Sequence, residues 1–417
     1  MFGFWCKEGK GRYGIVLAVL FSLFFLQNPG IARDRSSSQT SIEDELAEAI
    51  ELIFQENYQE ADSVCSSLIH QFPGHPAGYF MKGVLLWKQG YYMKNYDSFN
   101  KRALKWLGKA VKVAKKNIKE NPKDASAYFF GGGAYGYEGS VYARRKSWLK
   151  TGYAAFRGIR YLEKAMQLDS TLYDIYYGSG LYHVLASHQP GVVKWIQKLL
   201  PIPSGNAELG VRYLQMAAKK GKFTNLAALA GLAMAYVYYD ERYDDAIQLL
   251  EPLVERYPRN LDFNTALINA YFYKGLTEGT VNWDRLLALV HHTENYVLRR
   301  GYSLDPWWSD KLEFIAGYSL YMKGQFALAA PLLKEYCDKY SKKGASYLTG
   351  LGYLTLGKMA DLAGQRQLAI RYYKKVQKYE AMGNEKQLAA QLLTAPFQGE
   401  RPLVRFVGAY AELPDRP

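Results

Sequence analysis

The chain has 417 residues, of which 49% are apolar and 22% charged, so it is neither a disordered nor a collagen-like polymer. Its 53 Lys and Arg exceed its 39 Asp and Glu, and the formal net charge of +14 raises a nucleic-acid reading. Three cysteines rule out a disulfide scaffold, and the length admits two or three ordinary domains or one long repeat array.

Residues 1–32 have the pattern of a signal peptide. Lys7, Lys10 and Arg12 form a basic start, Gly14 to Leu26 an apolar core, and Gly30-Ile31-Ala32 a small-residue cleavage site. The apolar core is shorter than the roughly 20 residues of a membrane span. An uncleaved anchor is the alternative. Cys6 precedes the core, so it is not a lipidated cysteine following cleavage. Residues 33–41 read as a flexible linker. The mature chain is expected to be soluble and periplasmic or otherwise extracytoplasmic. Cys65 and Cys337 are expected to be half-buried apolar thiols.

From residue 42 onward a helical repeat emerges. Small residues recur twelve apart, with Pro or Ser often twelve further on: Ala49, Ala61 and Pro73; Gly317, Ala329 and Ser341; Gly357, Ala369 and Ala381; Met234, Ala246 and Pro258. Gly83, Gly132 and Gly180 fall in the same first slot of other units. Small residues suit the crossing of two helices in a hairpin, where bulk would push the pair apart. A terminal Pro cannot continue a helix and starts the next turn. The segments GYSLYMKGQFALAAPLLKEYCDKYS and GKMADLAGQRQLAIRYYKKVQKYE carry the pattern most clearly, and on them the chain resembles the tetratricopeptide repeat superfamily. That resemblance implies an all-α, right-handed α-solenoid of about eight hairpins over residues 42–395, followed by an irregular tail at 396–417. Gly131-Gly132-Gly133 reads as helix packing, because no Lys-Ser/Thr follows it and no strand pattern precedes it.

Unit ends fall near Pro73, Pro122, Ser170, Lys222, Pro258, Pro306, Ser341 and Ala381. Four steps exceed the ordinary 34 residues by about 14–18. In the first three long units the surplus falls inside the hairpin, at roughly 90–103, 139–155 and 187–205. Extended intra-hairpin turns are predicted there, lining up as a ledge along one edge. Residues 173–217 are also similar to a divergent tetratricopeptide-like family that includes a mitochondrial outer-membrane inclusion-clearance protein. The similarity lies in a glycine-rich helix, a Ser-Pro turn, an apolar Lys-containing segment and a Gly-Leu helix.

The charge is not spread evenly. Residues 94–222 hold 23 Lys and Arg against eight Asp and Glu, while the rest of the chain is near neutral. Residues 101–119 carry eight basic residues and no acid, at steps that suit one solvated helix face opposite Leu104, Leu107, Val111 and Ala114. Lys101, Arg102, Arg144, Arg145, Lys146, Lys150, Lys194 and Lys198 are the candidate partner-binding cations of the ledge. Tyr142, Trp148, Tyr176, Tyr177, Trp195, Tyr236 and Tyr239 are the candidate aromatic groove residues. Tyr135, Tyr243, Tyr271 and Tyr373 fall on positions that fill the space between hairpins. The amphipathic stretch 191–202 folds back on the solenoid or touches a membrane interface.

No catalytic constellation stands out. His291-His292 are adjacent and point about 100° apart on a helix, so they form no i,i+4 metal pair. His183 and His188 lack a nearby Cys or acid cluster, and Glu241, Asp244 and Asp245 sit between helices, where caps are expected. No cofactor or metal is implied. The chain reads as a non-catalytic exported scaffold for protein or peptide partners in the cell envelope, with an anionic glycan or membrane surface as further partners and nucleic acid excluded by export. The alternatives are a polysaccharide-assembly factor and, third, an enzyme with a helical-toroid site.

Overall fold

The computed structural model describes residues 41–187, 203–341, 347–379, 381 and 383–399. The signal-peptide pattern, the linker up to residue 40, residues 188–202 with Lys194, Trp195 and Lys198, and the tail from 400 lie outside the described residues. The helices in order are α1 (Ile42–Phe54), α2 (Tyr58–Gln71), α3 (Pro76–Tyr91), α4 (Tyr96–Glu120), α5 (Ala125–Arg144), α6 (Trp148–Leu168), α7 (Ile175–Ser187) and α8 (Ala207–Lys220). There follow α9 (Asn225–Ala235), a π-helical turn at Tyr236–Asp240, α10 (Tyr243–Arg256), α11 (Leu261–Thr277) and α12 (Trp283–Arg299). The last are α13 (Pro306–Met322), α14 (Phe326–Tyr340), α15 (Tyr347–Leu362), α16 (Arg366–Val376) and α17 (Glu385–Thr394). Among the described residues there is no extended sheet, and none of their helices is long and apolar enough to cross a membrane.

Local chemistry explains where these helices begin. Ser41 caps α1, its Oγ accepting from the Asp44 amide at 3.1 Å, and the first turn holds Glu43, Asp44 and Glu45 at the positive end of the dipole. Asp124 caps α5 through the Ala127 amide at 2.8 Å, and Pro76 and Pro306 occupy first-turn positions of α3 and α13. Within hairpins the turns repeat one device. Glu56, Lys146 and Glu241 adopt left-handed φ of 58°, 55° and 54°, and Gly324 and Gly364 take the same place at 77° and 70°. The next amide reaches back to a carbonyl of the finished helix, as Ser147 N does to Tyr142 O at 2.9 Å and Gln365 N to Ala360 O at 2.8 Å.

Two compact units result. The first comprises the described residues up to Leu232 with Glu255–Asn260, the second Ala233–Val254 with the described residues from Leu261. In each, consecutive helices pair as tetratricopeptide-like hairpins, and the small residues found in the sequence stand where those helices cross. Ala49, Ala61, Ala246, Ala329 and Ala369 have no exposed surface. A Cβ on Gly83 would lie 2.7 Å from Leu107, on Gly132 3.0 Å from Leu162, on Gly180 2.9 Å from the Gly210 carbonyl, and on Gly317 3.0 Å from Leu332. A methyl group fits none of these crossings without movement of the facing side chain or, at Gly180, of the facing backbone. Gly131 and Gly133 face Tyr161 and Phe80 in the same way, so the three glycines are packing residues. Cys65 and Cys337 are fully rather than half buried, and burial pushes the Cys65 thiol up to about 12.

The long hairpins differ from the expected ledge. The surplus at 90–103 and 139–155 is mostly helix: α3 and α4 are separated only by residues 92–95, and α5 and α6 only by Arg145-Lys146-Ser147. Both pairs have longer arms instead of longer turns, with 25 residues in α4, 20 in α5 and 21 in α6. The physical reason is burial. A loop at 139–155 would expose Val141 and Ala154, which are at most 1% exposed on the paired helices, and would leave backbone groups without intrahelical partners. The third surplus, at 187–205, lies largely outside the described residues.

The first unit also makes contacts over long sequence distance. Phe54 packs against Tyr257 with centroids 5.7 Å apart, Tyr257 OH donates to Glu51 at 3.1 Å, and Asn260 Nδ2 donates to the Phe54 carbonyl at 3.0 Å. Lys222 pairs with Glu43. The first helix of this unit thus meets its last segment, which no local pattern announces.

Candidate anion-binding surface

The surface is built on α4. With 100° per residue, Lys101, Arg102, Lys105, Lys109, Lys112, Lys115, Lys116 and Lys119 fall within an arc of about 140°. All eight are exposed, and Ala103, Leu107, Ala110, Val111 and Ala114 are buried on the opposite arc. The face is basic along about 27 Å of helix axis, at 1.5 Å per residue from Lys101 to Lys119. Packing of the apolar arc therefore fixes which way the cations point.

The eight acids of the basic block do not neutralise it. Asp97 pairs with Arg145, whose Nε is 2.9 Å away, and with Lys101 at 3.2 Å. Glu120, Glu163 and Glu208 pair with Lys116, Arg160 and Arg212 along their own helices. Asp124 and Asp169 bond local amides, and Asp174 is buried, accepting from Phe223 N at 2.6 Å and Thr224 Oγ1 at 2.9 Å. Glu138 is half-buried, and desolvation pushes its carboxyl up to about 7 although Lys115 pulls it down. Arg145 holds the Asp97 carboxyl below its usual range.

The candidate cations separate by position. Lys101, Arg102 and Lys150 are exposed, Lys150 standing 5.6 Å over the Tyr142 ring. Arg145 and Lys146 are intermediate, in the α5–α6 turn. Arg144 is not a surface group. It is 4% exposed, its Nη1 donates to the Tyr91 carbonyl at 2.6 Å, and its guanidinium lies 3.8 Å over the Tyr96 ring. Arg145 follows it directly, and the rotation of the backbone by one residue at the end of α5 turns one arginine inward and the other outward. The aromatic groove candidates divide as well. Tyr142, Trp148 and Tyr239 are partly exposed, whereas Tyr176, Tyr177 and Tyr236 are at most 7% exposed and belong to the core. Tyr135, Tyr243 and Tyr373 are buried, as their motif positions predict.

Sequence reading passed over four side chains that the fold assembles: Lys115 as a site residue, Glu138, Arg157 and Tyr161, gathered around Tyr135 by α4, α5 and α6. Their signal is faint, an i,i+4 Arg–Tyr step on α6 and an i,i+3 Tyr–Glu step on α5, with nothing to join the two. Elsewhere, His183 packs against Tyr182 and Tyr213 with its pKa lowered by burial, and His291 and His292 are exposed. No three His, Cys, Asp or Glu among the described residues group as metal ligands. A cleft of about 80 Å³ between α5, α6 and α7 is walled by residues such as Gly136, Gly158, Ile159 and Leu162, with Ser140, Thr151 and Tyr182 as polar groups.

Consecutive helix hairpins crossing at small residues define an all-α helical-hairpin repeat, the architecture that the tetratricopeptide resemblance of the sequence implies, carrying a basic face on its first unit. No family model matches the chain, and no curated protein does. Solved structures similar to it include human IFIT1, as a dimer with m7Gppp-AAAA, at 12% identity over 85% of this chain and 81% of that one, with a TM-score of 0.37. The TPR domain of P58(IPK) matches at 10% identity over 85% of this chain and 97% of that one, with a TM-score of 0.27. The Naa15/Naa10 structure bound to HypK-THB matches at 15% identity, covering 81% of this chain and 53% of that one, with a TM-score of 0.21. At such scores the repeat class rests on the hairpin geometry itself.

Proposed function

We propose that this chain is an exported, non-catalytic repeat scaffold whose first unit receives an acidic segment of a protein partner along α4. The observation that carries the reading is the α4 face, with eight exposed cations on one arc, of which only Lys101 and Lys116 pair with acids, Asp97 and Glu120. A face of one sign raises the encounter rate with an acidic partner and discriminates against basic ones. Export is supported by the pattern of residues 1–32, which also argues against nucleic acid as the partner. The glycan alternative draws on exposed aromatics, and the burial of Tyr176, Tyr177 and Tyr236 weakens it.

The test is a fluorescence titration of the full chain with a labelled Glu/Asp-rich 20-residue peptide at low and high NaCl. Binding is expected at low salt, with a loss of at least tenfold at roughly 0.3 M salt, where screening shortens to several ångströms. Replacing Lys101, Lys105, Lys109 and Lys112 together by Gln is expected to weaken low-salt binding at least tenfold. Unchanged affinity in that variant would overturn the reading.

A further inference from the structure

Three neighbouring helices of the first unit bring two cations over one tyrosine. Lys115 on α4 holds its Nζ 5.8 Å from the ring centroid of Tyr135 on α5. Arg157 on α6 places its Cζ 5.7 Å from the same centroid and 5.3 Å from that of Tyr161. The two rings pack edge to face, 5.5 Å apart. Arg157 Nη2 lies 3.4 Å from the Tyr161 hydroxyl, a long contact. Arg157 Nε is covered by protein and has no hydrogen-bond acceptor. An arginine N–H in that state lacks the partner that covered polar groups ordinarily find.

Neither cation forms an ion pair among the described residues, and each disfavours the charge of the other. Glu138 stands one helical turn from Tyr135 and is influenced by Lys115, and desolvation pushes its carboxyl up to about 7, so it is only a partial counter-charge at neutral pH. The cluster therefore presents two positive charges, the terminal nitrogens of a guanidinium, and two phenolic hydroxyls that can donate. A planar carboxylate carries one charge and leaves one cation uncompensated. A phosphate monoester carries close to two negative charges at neutral pH and has three acceptor oxygens to engage several donors.

We propose that Lys115 and Arg157, with the hydroxyls of Tyr135 and Tyr161, form a binding site for a phosphomonoester-type dianion. The proposal rests on the reading of the first unit as an anion-receiving surface and names a discrete site at the edge of it. Arg157 engages the dianion through its fork, Lys115 supplies the second charge, and the tyrosines fix both cations in place. Aromatic faces below the two cations keep them ordered without neutralising them.

The test is calorimetric titration of the full chain, at low ionic strength and pH 7.5, with inorganic phosphate and with acetate. Phosphate is expected to bind at least tenfold tighter than acetate. Arg157→Gln and Lys115→Gln are each expected to weaken phosphate binding at least tenfold, while Arg157→Lys, which keeps the charge and loses the fork, weakens it about fivefold. Circular dichroism of each variant checks the fold, and Arg157→Lys is the conservative change if Arg157→Gln disturbs it. The variant with Lys101, Lys105, Lys109 and Lys112 replaced by Gln is expected to bind phosphate within twofold of the parent chain, which separates this site from acidic-peptide binding on the α4 face. O-phosphoserine and glycerol phosphate then identify the carrier by which binds tighter, equal binding assigning recognition to the phosphate group alone. Equal binding of phosphate and acetate, or wild-type phosphate affinity in both Gln variants, overturns the proposal.

Discussion

Arg144 is the residue whose role changes most between sequence and structure, and its replacement gives the sharpest test. It ends α5, yet it serves the turn between α3 and α4, reaching the carbonyl of Tyr91 at 2.6 Å and lying over Tyr96 at 3.8 Å. The carbonyl belongs to the last residue of α3, where the helix dipole is negative and a cation is favoured. Arg144→Ala removes a hydrogen bond of charged type worth about 1.5–3 kcal/mol and a desolvated cation–ring contact of about 2 kcal/mol. It also loses the packing of the aliphatic stem, about 0.8 kcal/mol per buried methylene. Against this stands the regained hydration of a buried guanidinium, several kcal/mol. The expected net loss is about 3 kcal/mol, and the lesion is local. Urea unfolding of the chain followed by hydrogen exchange reads both quantities. The first-unit transition moves to lower urea, and amides at residues 92–96 exchange faster. Lys150→Ala, at an exposed position three residues beyond the turn, is expected within about 0.5 kcal/mol of the parent. If Arg144→Ala leaves unfolding and exchange unchanged while acidic-peptide binding falls, Arg144 is a surface cation and the structural assignment is refuted.

Two further outcomes follow from the packing. At Gly357 a Cβ would stand 2.3 Å from the Tyr373 ring, and Tyr373 is fully buried with its hydroxyl on Asp361 at 2.8 Å, so it cannot swing aside. Gly357→Ala is expected to destabilise the second unit by about 1–3 kcal/mol despite the better helix propensity of Ala, and a calorimetric scan showing no drop in Tm refutes the close crossing. Glu138 ionises near 7 in the fold and near 4.5 when exposed, so the folded state holds the extra proton between those values. Stability is unaffected below about 4.5, falls as pH rises to 7, and the penalty of about 3 kcal/mol persists above. Glu138→Gln is expected to flatten urea stability of the first unit between pH 5 and 7, and a slope equal to that of the parent chain excludes the raised carboxyl.

The repeat was legible because it is a steric requirement written in residue size. Two helices crossing within a hairpin leave no room at one position on each, so Gly or Ala recurs there whatever the rest of the segment does. Pro306, read in the sequence as the end of a unit, stands in the first turn of α13, where its missing N–H costs nothing. Helix length was not legible in the same way. Residues 139–155 contain Gly, Ser and a run of cations that suit a loop equally well, and only the partner arm α6 makes helix the state that buries them. The buried Tyr176 and Tyr177 show the same ambiguity from the other side, since a tyrosine is at home in a core or in a groove.

Sequence alone was enough to establish an all-α repeat with the basic charge concentrated in residues 94–222, because periodicity, side-chain size and charge count are properties of the chain itself. Tertiary structure decided which cations are free to act. Arg144 and Arg145 are adjacent and chemically identical, and a rotation of about 100° buries one against Tyr91 and turns the other toward Asp97. It also gathered Lys115, Tyr135, Arg157 and Tyr161 from three helices. Proximity across helices depends on how their faces meet, and that is settled by the burial of Leu107 and Leu162 at the crossings with Gly83 and Gly132 rather than by anything in the cations themselves.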